Sequence, residues 1–513
     1  MRRTLIATLL MMLSFIGTSA AFASTARPAV KHGGTLNILG IGSHWASLDP
    51  IYGSAIQASG GPYNLAYQTL FNFSSTGQLQ PYLATSYNYN KTSTVLKIFL
   101  RHGVKFQDGT PMNARAVQFN LQRTGNPAGG STCVPLFNNV TSVSTVGNYE
   151  VVMNFNPPYS AMVNDLAGNE CTEIVSPTAV QSEGAQFGNE PVGTSPWKWN
   201  PTGSVTGQII NFTSWPGSWQ KPLLNAVTFT GLASDQAVVQ AVQANTAQLM
   251  VASPQDVVLA RSAGLKVLKG VNTSLDYLRL NETSPPFNNL AARRALAAAT
   301  NSPLIVRQLF QNQLSADQSL ESPISPYFNG YRVAGFPQYS LANAAADVAA
   351  LPGGKLNFTL TIESTPIAQS VGDALAAEWQ QVPGITVTLN TVSIVTLLSD
   401  QHARTYQTLY AAGFGALPDP DNTYYRQLFS TSSNNQEGFV SPAFDSLSSQ
   451  ARETSNVANR KKLYIEAQKI IAQQIPILPL WSYANIWVYN KHVHNVPIPV
   501  SELNMDLTGI WLS

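Results

Sequence analysis

Charge is what this 513-residue chain has least of: Asp, Glu, Lys and Arg make up 11% of it, where soluble domains average about 25%. The 29 Lys+Arg against 27 Asp+Glu leave a formal charge of +2. Loss of Arg2 and Arg3 with a leader would bring that to zero. Without a basic excess, a nucleic-acid partner is not expected. Past the N-terminus no apolar run reaches the roughly 18 residues of a membrane span, which excludes a polytopic transporter. Catalytic patterns are missing too: there is no G-x-S-x-G elbow, no H-E-x-x-H and no G-x-x-x-x-G-K. Gly40-Ile41-Gly42 lacks the third glycine of a dinucleotide fingerprint. The six histidines are scattered. Only His492 and His494 alternate on one extended segment, and two ligands do not make a metal site. Neither a metal nor a cofactor is expected, and no enzyme activity is nominated.

Cysteine is almost absent as well. In an exported protein Cys133 and Cys171 suggest one disulfide, with two unpaired buried thiols as the alternative.

The residues present point outward from the cell. Arg2-Arg3, the apolar run from Leu5 to Ile16 and Ala21-Phe22-Ala23 have the order of a secretory signal peptide, residues 1–23, cleaved after Ala23. No Cys follows the cleavage site to carry a lipid, so the mature chain is expected free in the periplasm or the medium. Asn, Gln, Ser and Thr take the place of charge on the surface, as in Thr431-Ser432-Ser433-Asn434-Asn435-Gln436. Such a surface changes little with pH and fits an acidic or variable outer environment. With 44% hydrophobic residues the chain can bury large cores, and its length gives a prior of about three domains. Nine Trp, nineteen Tyr and twenty-one Phe suit both those cores and the walls of a concave cleft.

Coarse periodicity predicts mixed α and β structure. Strands are expected at Thr35 to Leu39, Val95 to Leu100 and Ile385 to Leu389. Helices are expected after Asn113 (a cap, with Val117, Phe119 and Leu121 near one face), at Ala291 to Ala299, from Ser302 as N-cap through Phe310, at Pro366 to Val382, and at Ala458 to Gln474. Residues 312–340 and 412–440 read as loops.

Several blocks, in order, resemble the extracellular solute-binding proteins of the peptide/nickel class (family 5), which feed ATP-binding-cassette importers. They are Gly33-Gly34-Thr35-Leu36 with Ser47-Leu48-Asp49-Pro50; Tyr67 to Phe73 with Gly77 to Ala84; Leu100 to Pro111, the most specific; Pro191 to Trp197; Asn281 with Pro286-Phe287 and Arg293 to Ala299; Gly413 to Asn422; and Ser441 to Leu447. The resemblance implies an α/β, two-lobed periplasmic-binding-protein-like fold with an additional, mixed α+β domain, closing by a hinge on its ligand. Lobe I would combine 24–66, 183–282 and 485–513. The extra domain would be 67–182, and lobe III 283–484. Partners would be a small-molecule or peptide ligand and a membrane permease, with the chain a monomer.

The resemblance also nominates cleft residues. Trp45, Tyr52 and Ile56 flank the Leu48-Asp49-Pro50 turn, and Phe414 holds a place often aromatic in the family. Peptide-binding relatives carry an Asp for the peptide amine where this chain has Leu417. Either Asp419 substitutes, or the ligand is not an ordinary free-amine peptide; Asp419 can equally be a turn-stabilising carboxylate. Arg279 and Asn281 share one face of an expected strand by period-two spacing, and Arg279 could take a carboxylate or sit in a structural ion pair. The reading is therefore a peptide or peptide-like solute. An oligosaccharide, a metal chelate or another small solute on the same fold is the alternative, and an exported hydrolase has no motif behind it.

Overall fold

The computed structural model describes residues 29–41, 47–55, 63–168, 171–232, 235–270, 274–316, 319–330, 332–414, 418–482, 485–498 and 506–513; the expected leader lies outside them. β1 (Thr35–Ile41) opens the largest sheet. β2 (Phe71–Phe73) and β3 (Leu79–Pro81) form a hairpin. β4 (Ala84–Tyr89), β5 (Val95–Leu100), β6 (Val140–Val146) and β7 (Glu150–Phe155) make an antiparallel sheet in the order β4-β5-β7-β6. The chain returns to the large sheet with β8 (Trp197–Val205), β9 (Ile209–Ser214), β10 (Ala226–Leu232), β11 (Leu249–Ala252) and β12 (Lys266–Lys269). β13 (Leu275–Leu280), β14 (Leu356–Glu363), β15 (Ile385–Val392), β16 (Thr408–Phe414) and β17 (Ile477–Ser482) form a second sheet, ordered β15-β14-β16-β13-β17. β18 (Ile486–Tyr489) then goes back, completing the seven-stranded order β12-β18-β11-β1-β10-β9-β8. Two short strands, β19 (Val493–His494) and β20 (Trp511–Leu512), pair near the C-terminus.

Within the stretch up to residue 282 expected for lobe I, β13 pairs with β16 and β17 of the second sheet. The chain therefore leaves the first sheet before Leu275. Every residue of β13 is buried, as in a strand covered on both faces.

Local rules explain the elements. β5 alternates buried Leu96, Ile98 and Leu100 with outward Lys97 and Phe99, the period of a half-buried antiparallel strand. Asn113 accepts a hydrogen bond from the Ala116 N–H at 3.1 Å and starts the helix Ala114–Thr124. That helix buries Val117, Leu121 and Asn120, leaving Phe119 only half-buried. Asn301, not Ser302, caps the helix Ser302–Phe310, because its side-chain oxygen is the one that reaches the Leu304 N–H at 3.2 Å. The helix Pro366–Trp379 stops three residues short of Val382.

The blocks that carry the family resemblance are joints between units. Gln107 donates to the carbonyls of Ser195 (3.0 Å) and Trp197 (2.9 Å) and accepts from the Gly193 N–H (3.0 Å), fastening the Leu100–Pro111 block to the large sheet. A Cβ on Gly193 would lie 2.3 Å from the Ala66 carbonyl oxygen, so only glycine permits that approach. Cys133 and Cys171 form a disulfide 38 residues apart. It ties the turn Val134–Phe137 to the segment after the helix Met162–Gly168. In the chain-entropy relation a loop of this length contributes about 4 kcal/mol. The Cys133→Ser/Cys171→Ser double variant is expected to lose stability by up to that amount in denaturant unfolding, with no loss from adding reductant to the variant itself.

Candidate ligand-binding cleft

Strand direction locates the cleft. β1 runs parallel to β10 and β11, so Ile41, Leu232 and Ala252 end at one edge of the large sheet. Ala252 and Lys269 both pair with Ile486, which puts the end of β12 and the start of β18 at the same edge. In the second sheet β14, β15 and β16 are parallel and end together at Glu363, Val392 and Phe414. Leu275 pairs with Phe414 and Ser482, placing the start of β13 and the end of β17 there too. The chain passes between the sheets twice, from Lys269 to Leu275 and from Ser482 to Ile486, each time from one carboxyl edge to the other. The passages are bonded side by side, Gly270 N–H to Asn485 carbonyl at 2.9 Å. Two α/β lobes with facing carboxyl edges make the crevice in which such sheets bind ligands.

The nominated residues divide by position. Trp45, Ile56 and Leu417 lie outside the described residues. Tyr52 is half-buried in the 3-10 turn Pro50–Ala55. That turn is fixed by Asp49, whose carboxylate caps the Ile51 N–H and takes both terminal nitrogens of Arg123. Phe414 is the last residue of β16, at the cleft edge. Arg279 is buried deeper in lobe III, opposite Leu409 and Ile477, where it pairs with the buried Glu437. Asn281 lies beyond the other end of β13, away from the cleft edge. Its amide donates to the carbonyls of Arg404 (2.9 Å) and Tyr406 (2.7 Å), and its oxygen accepts from the Thr283 N–H (3.0 Å) and hydroxyl (2.6 Å).

Asp419 is held in a clamp. Its carboxylate takes two nitrogens of Arg460, at 2.6 and 2.7 Å, the Asn164 amide at 2.6 Å and the Asp421 N–H at 3.0 Å. Asp421 in turn takes two nitrogens of Arg452, both at 2.7 Å. These arginines come from the helices Pro442–Arg452 and Val457–Gln474. Sequence reasoning did not single them out. The available signal was Arg460 four residues before Tyr464, since that spacing puts both on one helix face, and the Tyr464 hydroxyl accepts from Arg460 at 2.7 Å.

Asp276 was also missed. It sits at the cleft edge of β13, where the register with both β16 and β17 shifts, as it does at a bulge. One carboxylate oxygen accepts from the Tyr410 hydroxyl and the Trp481 indole N–H, each at 2.7 Å. Burial pushes its pKa up to about 6. Burial likewise raises Glu321 to about 8, against the Tyr424 hydroxyl bonded to it, and Glu378 to about 7. Among the described residues no group of three His, Cys, Asp or Glu is placed to hold a metal ion, and no helix is long and apolar enough to cross a membrane.

Two lobes joined by paired passages, with a cleft at their strand ends and an appended domain, define a hinged periplasmic-type binding protein. Residues 78–435 match the model of the bacterial extracellular solute-binding proteins, family 5 Middle, and the chain belongs to that family. The glutathione-binding protein GsiB of Shigella flexneri is 26% identical over 496 residues, spanning 93% of this chain and 91% of that protein. Two solved structures share the fold. The periplasmic binding protein DppA of Helicobacter pylori, in complex with the peptide STSA, superposes with a TM-score of 0.80 at 20% identity, over 94% of this chain and 98% of its own. The substrate-binding protein CtaP of Listeria monocytogenes gives 0.81 at 19%, over 94% and 100%.

Two outcomes are expected. Asp419→Ala leaves Arg460 buried without its anion, and thermal or denaturant unfolding should show a loss of about 3–5 kcal/mol. The pH profile follows from buried carboxyls, Asp276, Glu321 and Glu378 together with Asp165 and Glu282, which bind protons more tightly folded than unfolded. Their contribution to stability is full below the unfolded carboxylate range near 4 and is lost as pH rises through about 6 to 8. The melting temperature should therefore be higher at about pH 5 than at about pH 8.

Proposed function

We propose that this chain is the exported substrate-binding component of an ATP-binding-cassette importer, freed of residues 1–23 and acting as a monomer. It would take a peptide or peptide-like solute into the interlobe cleft and deliver it to a membrane permease without chemical turnover. The observation that carries this reading is the pair of facing carboxyl edges joined by two passages. A solute touching both edges favours the closed arrangement by its differential affinity, and the permease reads that arrangement. The glutathione-binding relative, aligned over nine-tenths of both chains, supports a small peptide as the solute class. Segments leaving the cleft edges would supply the contacts: Trp45, Tyr52 and Ile56 from lobe I, Phe414 and Leu417 from lobe III. Asp419, Arg279 and Asn281 would serve the frame, since each already has internal partners. With Asp419 committed to Arg460, the amine of a peptide would meet some other group.

Native mass spectrometry of the protein purified from its export compartment, before and after unfolding and refolding, tests this. A mass excess that fragments as a short peptide and vanishes on refolding is expected. A sugar or a nickel chelate in its place would overturn the peptide assignment and keep the binding protein; a hydrolysed product would overturn the non-catalytic reading.

A further inference from the structure

We propose that the seam between the extra domain and lobe III is a proton-coupled latch: closing it places a proton on Asp165, so acid favours the closed cleft. This rests on the reading that the lobes close on a solute. The extra domain is fastened to lobe I through Gln107 and through Gln68, which accepts from the Thr194 hydroxyl and the Trp219 indole N–H, both at 3.0 Å. Lobe III is joined covalently to lobe I only at the two passages. Any motion of lobe III relative to lobe I would therefore move it against the extra domain.

The seam is bonded on both sides. The Ser160 N–H donates to the Arg452 carbonyl at 2.9 Å, and its hydroxyl to the Ala451 carbonyl at 3.1 Å. Asn164 reaches Asp419 at 2.6 Å, and the Arg452 guanidinium lies 4.0 Å over the Tyr159 ring. A Cβ on Gly77, in the β2–β3 turn, would come within 2.2 Å of the Ile324 carbonyl oxygen, so backbone meets backbone there too.

Charge does not balance in this seam. Three carboxylates, Asp165, Asp419 and Asp421, meet two guanidiniums, and both guanidiniums are matched bidentately to Asp419 and Asp421. Asp165, 3% exposed, has the Tyr159 hydroxyl as its donor. Among the described residues no Lys, Arg or His forms an ion pair with it. Among the described residues, the other elements of the extra domain packed on its helix bring no cation to it. Tyr89 accepts from the Val163 N–H at 3.2 Å, the Thr172 hydroxyl bonds the Asp165 backbone carbonyl, and β2 contributes Phe71, Asn72 and Phe73. Burial first, and the neighbouring Asp421 second, push the Asp165 pKa up to about 7, with Asp419 adding to the rise and the Tyr159 hydrogen bond and the Arg452 charge opposing it. Opening the seam returns it to water and the ordinary range near 3.9. The closed seam therefore binds the proton more tightly. Closure carries no penalty below about pH 4, a growing one up to about 7, and a constant one above.

Hydrogen exchange on the peptide containing Ser160, corrected for intrinsic rates, tests the latch without any ligand. In the wild type, protection should fall about tenfold or more between about pH 5 and 8, whereas in Asp165→Asn it should stay within about twofold. Asn164→Ala, which removes a cross-seam bond and no charge, should lower protection at every pH and keep the wild-type slope. A flat wild-type profile, an Asp165→Asn profile that keeps the slope, or an Asn164→Ala profile that loses it would overturn the latch. A calorimetric titration with glutathione and with a tripeptide separates the two readings. Binding with flat protection sinks the latch alone. Absence of binding with pH-dependent protection sinks the peptide assignment and leaves the latch standing.

Discussion

Two bidentate arginine–aspartate clamps, Arg460–Asp419 and Arg452–Asp421, hold the segment that follows β16 at the cleft mouth. Each guanidinium fork matches a carboxylate in its own plane, which fixes direction as well as distance. The clamps reach in three directions: to the helices that carry the arginines, to the loop that carries the aspartates, and through Asn164 and Ser160 to the extra domain. A buried ion pair is weak evidence for net stability, because desolvation offsets much of its attraction. Its contribution here is position.

Those clamps give the low charge content a structural meaning. Of the eight ion pairs among the described residues, five have both side chains less than one-fifth exposed: Arg123–Asp49, Arg279–Glu437, Arg293–Glu282, Arg452–Asp421 and Arg460–Asp419. Most of these ion pairs are thus internal, while Asn, Gln, Ser and Thr cover much of the outside. Buried carboxylates outside the ion pairs, such as Asp276 and Asp165, are the complement of this arrangement. Burial raises the pKa of both, so each holds a proton more tightly in the fold than in water.

The segments most legible as a family pattern are the ones that join units. Gln107 bonds across to Gly193, Ser195 and Trp197, and Asp49 holds Arg123. A joint demands particular donors and acceptors at fixed places, so its residues form a readable motif. Solute contacts make no such local demand. Of the nominated residues, Asn281 and Asp419 are polar residues near motifs, and the fold bonds Asn281 to internal carbonyls and Asp419 to Arg460, Asn164 and the Asp421 N–H.

Much of the local structure was determined by sequence alone. The strand at Val95–Leu100, the helix Ser302–Phe310 and the helix starting after Asn113 follow from periodicity and caps, because such elements are set by neighbours within four residues. Even so, the cap expected at Ser302 is one residue earlier, at Asn301, since Asn and Ser are both competent and only geometry chooses between them. Motif order identified the family for the same reason that joints are readable. Tertiary structure alone decided that β13 leaves the first sheet, that Arg279 meets Glu437 158 residues away, that Asp419 meets Arg460, and that Asp165 is left over. Each of these depends on which charges long-range folding brings into one desolvated space, and the energy of a buried charge is fixed by its partners there and not by its place in the chain.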